Sequence, residues 1–542
     1  MSPAATKPPA SELMAAARRA RDETIPAPYR LPKNFELPKN ATLILESSGL
    51  LSPDEKDIIN LDATGLAAAI KDGTYTSVQA TTAYLKAASL AQQGTNCLVE
   101  MFADEALERA AVLDAAQAAG QPLGILHGVP VSIKDHIDVE GHDSPSGFLG
   151  LVGKMMAASD AHMVSILRDA GAVFYCKTTN PQSLMHLETE GYLGITASPY
   201  NTDLTAGGSS GGEGALIGMK GSPFGIGTDI GGSVRSPAAA CGIYSFKPSV
   251  GRLPYGGCNV PIGPAGCEAI LGSHGPMGRS ARDMETYMRL VSASEPWRVD
   301  PTLHVKPWRV VKAKPGRKLR VGVLRDDGVV LPVAPIRRAL DTAVDKLKAT
   351  GDFEIVEYTP FKSAENWDII SKLYWLDNGK LVYEQIAVTD EPVVPLTDWI
   401  IQQAGGVDRT KDETYALVAK RDAFRSELAQ YWHEQDVDVV LTPVGPSPAP
   451  QHGTAKYWNY TSYWNLANYP AAVFPTGMFV DPAIDQEDAG YTPRNDKDKY
   501  VRDTYDAQVS VGAPLCLQVV GYLGYEEETL DALKKIDAVV NA

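Results

Sequence analysis

Two serines and a lysine form a set that could carry out nucleophilic chemistry. Ser209 lies in the run GGSSGG, Ser233 follows 24 residues later in TDIGGS, and Lys134 ends the apolar run GVPVSIK, 75 residues before Ser209. A serine hydroxyl is a poor nucleophile until a base removes its proton, and lysine can be that base only where its pKa is lowered from about 10.4. Desolvation by the apolar run would lower the pKa of Lys134, whereas the nearby Asp135 and Asp138 would raise it. The sequence alone does not decide between these effects.

The two serines bound a stretch that is unusually rich in glycine. Residues 207–232 contain 11 glycines, and glycine loses more backbone freedom on folding than any other residue. Such a density requires a backbone reason, either positive φ angles or the close approach of another group to the N–H donors. Ile230, Gly231 and Gly232, directly before Ser233, would suit an oxyanion hole, because glycines let successive N–H groups point at one developing negative charge.

Three alternatives to an oxyanion hole could explain these glycines on the residues alone. A phosphate-binding loop would need the pattern G-x-x-x-x-G-K-[ST], which does not occur in the chain. A dinucleotide-binding loop would need G-x-G-x-x-G between a strand and a helix, followed by an acidic residue about 20 positions on, and that context is not clear here. A purely structural glycine turn is the third alternative.

Composition argues against several classes of partner. The formal net charge is −16 at pH 7, and negative surface is repelled by nucleic acid and by anionic membrane. No stretch has the apolar length of a signal peptide or a membrane span, so we expect a cytoplasmic protein. The six cysteines are scattered, as expected of free thiols in a reducing compartment. His127, His136 and His142 cluster near Lys134 without metal-site spacing, so we expect structural roles for them and no metal.

The elements that must position these residues begin after an arm. Residues 1–50 combine a short helical pattern with a proline-punctuated run, which predicts an arm that lies on a larger body or on a partner subunit. Apolar residues then recur at helical spacing. Residues 129–133 have the pattern of a buried strand. A helix broken at Gly171 and an apolar strand at 172–176 follow, which predicts the αβ unit of a layered α/β fold.

The second half of the chain continues this pattern with two less regular segments. Residues 456–469 hold four Tyr and two Trp. In this tract Tyr457, Trp458, Trp464 and Tyr469 would either pack in the core or line the wall of a pocket. The composition of residues 483–508 predicts a mobile surface insertion. No repeat or linker divides the chain, so one large body and two domains fit equally well.

Longer motifs resemble the amidase signature family. They are VSIKD around Lys134, GGSSGGEGAL around Ser209 and GTDIGGSVRSPAA around Ser233, and the resemblance extends from about residue 55 to the C-terminal segment. GRLPY, EPW and the proline-punctuated N-terminal run resemble the fungal acetamidase or general amidase branch. The resemblance implies an α/β fold with one large domain at 51–542, after an arm at 1–50, in which helices cover both faces of a mixed central β-sheet. It also implies an amide-hydrolysing enzyme that needs no metal or organic cofactor.

The resemblance assigns a role to each matching position. Ser233 would form the acyl-enzyme, Ser209, preceded by a cis peptide bond, would relay a proton, and Lys134 would be the ultimate base. Four backbone N–H groups would hold the oxyanion, those of Ile230, Gly231, Gly232 and Ser233. One backbone contact to the substrate and three supporting side chains complete the implied site: Leu184, and Ser210, Asp229 and Arg235.

The implied reaction is hydrolysis of a small aliphatic or aryl carboxylic amide to the acid and ammonia. The alternatives are a transamidating subunit of an amidotransferase-like assembly that acts on charged tRNA, a hydrolase of secondary or fatty amides or esters, and a non-catalytic scaffold. The negative charge disfavours tRNA contact, and the intact Lys134, Ser209 and Ser233 disfavour a scaffold. We expect a small-molecule amide as partner, no nucleic acid and no membrane. Homodimerisation is typical of such relatives, and the acyl and amine groups of the substrate stay open.

Overall fold

The computed structural model describes residues 8–263, 266–312 and 316–542. Its strands in this part of the chain are β1 (Leu98–Met101), β2 (Pro130–Lys134), β3 (Val173–Thr178), β4 (Glu190–Gly191), β5 (Gly194–Ile195), β6 (Phe224–Asp229), β7 (Tyr244–Lys247), β8 (Ser273–Gly278), β9 (Leu319–Val323), β10 (Phe353–Glu357), β11 (Val439–Pro443), β12 (Ala471–Phe479) and β13 (Pro514–Gly521). Eleven of them form one sheet in the order β1-β3-β2-β6-β8-β7-β12-β13-β11-β9-β10, and β4 pairs with β5 in a small hairpin.

The large sheet is mixed and buried. Strand β2 runs parallel to β3 and β6, and β9 runs parallel to β10 and β11, whereas the remaining neighbours are antiparallel. Every residue of β2, β3, β6, β11 and β13 is buried. Since side chains alternate between the two faces of a strand, both faces are covered there. The predicted α/β fold, with a mixed sheet inside one large domain, is confirmed.

Helices pack against the large sheet. They are α1 (Ala10–Glu23), α2 (Ile44–Ser47), α3 (Pro53–Asn60), α4 (Ala63–Lys71), α5 (Ser77–Thr95), α6 (Ala103–Ala118), α7 (His162–Asp169), α8 (Gly211–Gly218), α9 (Arg235–Cys241), α10 (Ala281–Ala293), α11 (Ala334–Thr350), α12 (Ser363–Tyr374), α13 (Lys380–Ala387), α14 (Pro395–Gln402), α15 (Lys411–Gln435), α16 (Asn459–Ala467), α17 (Asp496–Thr504) and α18 (Glu526–Val540). Within the described ranges, none of these helices is both long enough and apolar enough to cross a membrane.

Local signals in the sequence explain where several elements begin and end. Helix α5 starts at a capping box in which the Thr76 hydroxyl accepts from the N–H of Gln79 and the Gln79 side chain accepts from the N–H of Thr76. The strand predicted at 129–133 is β2, and the one predicted at 172–176 is β3. The helix expected to break at Gly171 is α7, which ends at Asp169.

The described part of the N-terminal arm, residues 8–50, lies on the body of the same chain, and residues 1–7 of the predicted arm lie outside the described residues. One face of α1 packs in an apolar cluster with Tyr192 and Leu193 of the β4–β5 hairpin. Arg18 donates to the carbonyl of Tyr192 at 3.2 Å, and the buried Arg21 donates to the carbonyl of Leu98 in β1 at 3.3 Å. Of the two positions expected for the arm, the structure therefore shows the one on the larger body.

Residues 483–508 lie mostly at the surface, as expected, and their mobility stays a prediction. They contain α17, and two of their carboxylates are buried, those of Asp485 and Asp498. Asp485 accepts two hydrogen bonds from Arg338 of α11 at 2.7 and 2.8 Å, and Asp498 accepts from the N–H of Leu331 at 3.2 Å. These two charges are exceptions to the exposure that the composition suggested, because they find partners on the body.

The aromatic tract at 456–469 is largely core. Trp458, Trp464 and Tyr469 are buried in apolar clusters, and the Trp464 and Tyr469 rings stack with centroids 6.2 Å apart. Tyr457 is only partly buried and borders a surface cavity of about 190 Å³. Of the two roles expected for this tract, core packing holds for the three buried rings, while Tyr457 and Trp458 also line the wall of this cavity.

Candidate active site

Lys134 and the glycine-rich stretch meet because their strands are neighbours. Lys134 is the last residue of β2, which runs parallel to β6, and β6 ends at Asp229, four residues before Ser233. Adjacent parallel strands bring their carboxyl ends to one edge of the sheet, where sites in α/β proteins commonly lie. Lys134 is fully buried, and its Nζ lies 2.7 Å from Ser209 Oγ and 3.0 Å from Thr228 Oγ1.

Burial determines the charge state of Lys134. Loss of hydration lowers the pKa of its amine to about 7, although the negative charges of Asp229, Asp135 and Glu213 act in the opposite direction. The sequence did not decide whether desolvation or the nearby carboxylates have the larger effect on the pKa of Lys134, and in the structure desolvation has the larger effect. At neutral pH a large fraction of the amine is uncharged and has a lone pair that can accept a proton.

Ser209 and Ser210 stand at the start of helix α8. The peptide bond between Gly208 and Ser209 is cis, as the resemblance implies. The N–H of Ser210 donates to the carbonyl of Ser233 at 3.0 Å, and the Ser210 hydroxyl lies 3.3 Å from the N–H of Thr228. These bonds join the two ends of the glycine-rich stretch, so that both serines lie beside β6.

Ser233 sits in the turn between β6 and α9 and is only 4% exposed. Within the described part of the chain, no hydrogen bond joins its hydroxyl to that of Ser209, and the N–H groups of Ile230, Gly231 and Ser233 have no acceptor. Hydrogen bonds between catalytic groups are often long before substrate binds. The three N–H groups are donors that a ligand oxygen could satisfy.

The N–H of Gly232 behaves differently from the other three. It donates to Asp229 Oδ1 at 2.9 Å. The Asp229 carboxylate thus takes one of the four N–H groups of residues 230–233 in this structure, and the binding of an oxyanion by all four stays a prediction. The bond from Gly232 helps to hold the turn.

Asp229 and Arg235 form the buried support of that turn. Arg235 donates to both oxygens of Asp229 at 3.0 Å, and Asn465 of α16 donates to Oδ1 at 2.8 Å. Both side chains of the ion pair are fully buried. Burial alone would raise the pKa of Asp229, but the Arg235 guanidinium outweighs it and holds the pKa far below its usual range. The carboxylate is therefore charged and fixed.

The sequence did not indicate the polar contacts behind Lys134. His136 Nε2 lies 2.8 Å from Thr228 Oγ1, and its Nδ1 lies 3.1 Å from the carbonyl of Asn259. Burial and the neighbouring Lys134 lower the pKa of His136 well below its usual value, so the ring is neutral. Thr228 is part of the motif GTDIGGS, but no spacing rule joins it to His136, since the two residues come from different segments.

Leu184, the implied backbone contact to substrate, lies in an unusual turn. It ends a short 3₁₀ segment, Gln182–Leu184, and both Ser183 and Leu184 have left-handed backbones, with φ angles of 65° and 61°. Two successive buried non-glycine residues in this region are rare, and such backbone is often found at functional sites. Apart from this backbone conformation, the described residues around Leu184 show no feature that indicates a contact with substrate.

The other two histidines of the cluster near Lys134, His127 and His142, have structural partners. His127 Nε2 lies 3.1 Å from the carbonyl of Leu113, and His142 lies between Glu100 and Glu105, at 3.1 and 3.2 Å. Among residues 8–263, 266–312 and 316–542, no group of three or more His, Cys, Asp or Glu side chains is arranged to hold a metal ion. All six cysteines are free thiols.

Known proteins of one family are similar to this chain over nearly its whole length. The family model described as Amidase matches residues 79–530. The chain is 46% identical to a Schizosaccharomyces pombe protein named provisionally as an amidase, over 95% of this chain and 96% of that one. It is 36% identical to the acetamidase of Aspergillus oryzae, over 96% of this chain and 97% of that one. A solved structure titled fatty acid amide hydrolase superposes with a TM-score of 0.93 at 34% identity, over 98% of this chain and 95% of that one.

Proposed function

This chain belongs to the amidase signature family, and from that premise we propose that it hydrolyses a small aliphatic or aryl carboxylic amide to the acid and ammonia through an acyl-enzyme on Ser233. Its fungal relatives include an acetamidase, which supports a short acyl group and a primary amide. The observation that carries the proposal is the contact of the buried Lys134 amine with Ser209 Oγ, at 2.7 Å. A lysine with a lowered pKa beside a serine is the arrangement that an amide-cleaving base requires.

The first step forms a bond between Ser233 Oγ and the carbonyl carbon of the amide. The proton of Ser233 passes to Ser209 Oγ as the proton of Ser209 moves to Lys134 Nζ, so that one net proton reaches the lysine. The carbonyl π electrons move onto oxygen. The free N–H groups of Ile230, Gly231 and Ser233 would hold that oxyanion, because donors fixed before the reaction stabilise charge that develops in the transition state.

The second step breaks the C–N bond. Lys134 returns its proton through Ser209 to the leaving nitrogen, because an amide anion is too basic to depart unprotonated, and ammonia leaves. Water then attacks the acyl-enzyme and gives one proton to the same relay. Collapse of the second tetrahedral intermediate returns that proton to Ser233 and releases the acid. The atoms balance as amide plus water giving acid plus ammonia.

A second candidate is hydrolysis of a secondary amide with a larger apolar acyl group. It is favoured by the likeness to the solved structure titled fatty acid amide hydrolase. It is also favoured by the apolar cluster beside the turn, in which Ile230 packs with Met185, Leu187 and Trp458. An apolar wall can receive an alkyl or aryl acyl group, so the size of that group separates the two candidates.

The test is amide turnover by the purified chain alone. We expect ammonia release from acetamide and phenylacetamide to exceed amine release from N-alkyl amides of long fatty acids. Ser233→Ala should lose turnover and labelling by a fluorophosphonate probe, whereas Ser236→Ala, a serine in the adjacent helix α9, should keep both. Labelling retained in Ser233→Ala would contradict the nucleophile assignment. Turnover that needs an added partner would instead favour the transamidating subunit.

A further inference from the structure

Two hydroxyl groups from outside the glycine-rich stretch donate hydrogen bonds to successive backbone carbonyls of its last turn, residues 230–233. Tyr374 Oη donates to the carbonyl of Ile230 at 2.8 Å, and Thr461 Oγ1 donates to the carbonyl of Gly231 at 2.8 Å. Tyr374 is the last residue of α12 and Thr461 lies in α16, 144 and 230 residues along the chain from the carbonyls that they bind. Neither residue belongs to the motifs that carry the family resemblance.

Because the peptide unit is planar, a hydrogen bond to a carbonyl also fixes the direction of the N–H group that follows it. The peptide unit is planar, and in its trans form the carbonyl oxygen and the following N–H point in opposite directions. In the described part of the chain the bond between Gly208 and Ser209 is the only cis one. Tyr374, by holding the carbonyl of Ile230, thus turns the N–H of Gly231 away from itself. Thr461 likewise fixes the N–H of Gly232, which donates to Asp229.

The two glycines of the turn also show how closely the hydroxyls of Tyr374 and Thr461 approach it. A Cβ atom on Gly231 would lie 2.8 Å from Tyr374 Oη, and one on Gly232 would lie 2.2 Å from Thr461 Oγ1. Real Cβ atoms essentially never come within about 3 Å of another heavy atom, since van der Waals repulsion is steep there. The close approach of these two hydroxyls therefore requires glycine at both positions.

Thr461 is itself held from the other side. Its hydroxyl also lies 3.0 Å from the carbonyl of Trp458, and its own carbonyl accepts from Arg235 Nη1 at 2.9 Å. Arg235 in turn binds Asp229. The hydrogen bonds to the turn and the buried ion pair thus form one connected network. A small movement of α16 would therefore rotate the peptide units of the turn.

We propose that Tyr374 and Thr461 are positioning residues that hold residues 230–233 in the orientation in which their free N–H groups bind the oxyanion. The inference rests on the proposed function. Those N–H groups interact with an oxygen whose charge grows only in the transition state, so a misaligned turn lowers kcat more than it changes KM. A residue that served only folding would not produce this split.

The decisive comparison uses two half-buried tyrosines. Tyr374→Phe removes the hydroxyl that holds Ile230, and Tyr505→Phe removes a hydroxyl that donates to another backbone carbonyl, that of Asp485, at 3.0 Å. We expect Tyr374→Phe to lose about tenfold or more in kcat, given that loss of a direct oxyanion donor costs about 100–1000-fold, with KM changed less than about twofold. Tyr505→Phe should keep the wild-type kcat.

Thr461 provides the second comparison. Thr461→Val should lower kcat, and Thr461→Ser, which retains the hydroxyl, should restore most of the loss. Phenylboronic acid, which forms a tetrahedral adduct with an active serine, should bind Tyr374→Phe more weakly in proportion to the loss of kcat/KM, because its boronate oxygen occupies the oxyanion position.

Three results would overturn the inference. They are a wild-type kcat in Tyr374→Phe, an equal loss in Tyr505→Phe, and a change confined to KM. The proposed function has a separate test, because it fails if Ser233→Ala keeps its turnover. If Ser233→Ala is inactive while Tyr374→Phe matches the wild type, only the positioning role is wrong. Fluorophosphonate labelling rates give the same comparison without any amide substrate, since charge also develops on oxygen at phosphorus.

Discussion

At the scale of single residues, the site depends on two buried ionisable groups that differ in charge state. Lys134 lies beside hydroxyl groups at 2.7 and 3.0 Å, whereas Asp229 is paired with a guanidinium at 3.0 Å. Burial therefore shifts Lys134 toward its neutral form, but Asp229 keeps its charge. The neutral amine can act as a base, and the charged carboxylate can hold the turn that carries Ser233.

The pKa of Lys134 predicts how activity depends on pH. Below a pKa of about 7 the lysine is protonated and has no lone pair for the proton of Ser209. We therefore expect kcat/KM to fall about tenfold for each pH unit below that pKa and to level off above it. The measurement is kcat/KM for a neutral amide between about pH 5 and pH 9. A profile that stays flat from pH 6 to pH 8 would exclude Lys134 as the base.

Replacing Lys134 tests the same role without pH. Lys134→Met keeps an unbranched apolar side chain in the buried site but removes the amine, so turnover should fall by about 100–10,000-fold, as expected for loss of a general base. Far-ultraviolet circular dichroism and a thermal melt should show that the variant is folded. Lys86→Met, which removes an amine paired with Glu55 at 2.7 Å on helix α5, is the control and should keep full turnover.

The ion pair of Asp229 and Arg235 predicts a large effect on stability. Arg235→Met would leave the Asp229 carboxylate buried without its cation, and removal of one member of a buried pair costs about 3–5 kcal/mol of unfolding free energy. Arg298→Met breaks an exposed pair with Glu295 and should change stability little. Urea unfolding followed by tryptophan fluorescence gives both values. Similar losses in the two variants would contradict the importance of burial.

At the scale of elements, helix α16 meets the glycine turn at close range. Gly232 has a φ of 129°, and a Cβ there would lie 2.2 Å from Thr461 Oγ1. Gly232→Ala should therefore both strain the backbone and push α16 away. Gly120 also has a positive φ, 70°, but open space around it, so Gly120→Ala should show only the backbone cost of about 1–2 kcal/mol.

The two glycine variants are compared by turnover and by urea unfolding. We expect Gly232→Ala to be less stable than Gly120→Ala and to have lost most of its activity, while Gly120→Ala keeps wild-type turnover. If the two variants lost equal stability and Gly232→Ala remained active, the contact of Thr461 with the turn would not constrain the site.

The elements also show what the sequence could predict. Strand β2 and the αβ unit from α7 to β3 followed from apolar runs and glycine breaks, because those signals are local. The density of glycines predicted positive φ angles or a group close to the N–H donors. Gly207 and Gly232 do have positive φ, whereas the hydroxyls that approach the turn bind its carbonyls. The approaching groups, Tyr374 and Thr461, could not be predicted, since they contact the turn from 144 and 230 residues away and no periodicity joins distant hydroxyls to carbonyls.

The surface insertion expected at 483–508 has two charged exceptions with a related cause. Most of its residues are exposed, yet Asp485 and Asp498 are buried against partners on the body. Composition reports the average polarity of a segment, whereas pairing depends on distant residues such as Arg338. The catalytic roles of Lys134, Ser209 and Ser233 stay predictions, although the structure places Lys134 against Ser209.

At the scale of the whole molecule, the sheet order explains why the chain must be large. Strands β2 and β6 are neighbours although two helices (α7 and α8) and three strands (β3, β4 and β5) lie between them in the chain. Helices α12 and α16 reach the same turn from the second half. The site is thus closed by segments from both halves. This agrees with one domain rather than two, and homodimerisation stays a prediction.

The arm offers a test of how the molecule is assembled. Helix α1 places Ala17 against Tyr192 and Leu193, while the adjacent Ala16 faces away and is exposed. The substitutions Ala17→Asp and Ala16→Asp add the same charge to the same helix, so their difference reports docking rather than helix propensity. We expect Ala17→Asp to cost about 1–3 kcal/mol of unfolding free energy, because it places a carboxylate against apolar rings, and Ala16→Asp to cost little.

Protein concentration extends this comparison to a second copy of the chain. If α1 docks only on its own body, the melting temperatures of both variants should be independent of concentration. A loss in Ala16→Asp that grows on dilution would show that the outer face of α1 contacts a partner subunit. Equal and concentration-independent losses would contradict the docked arm. Because the β4–β5 hairpin under α1 follows residues 182–188 directly, Ala17→Asp should also reduce turnover before the body of the protein unfolds.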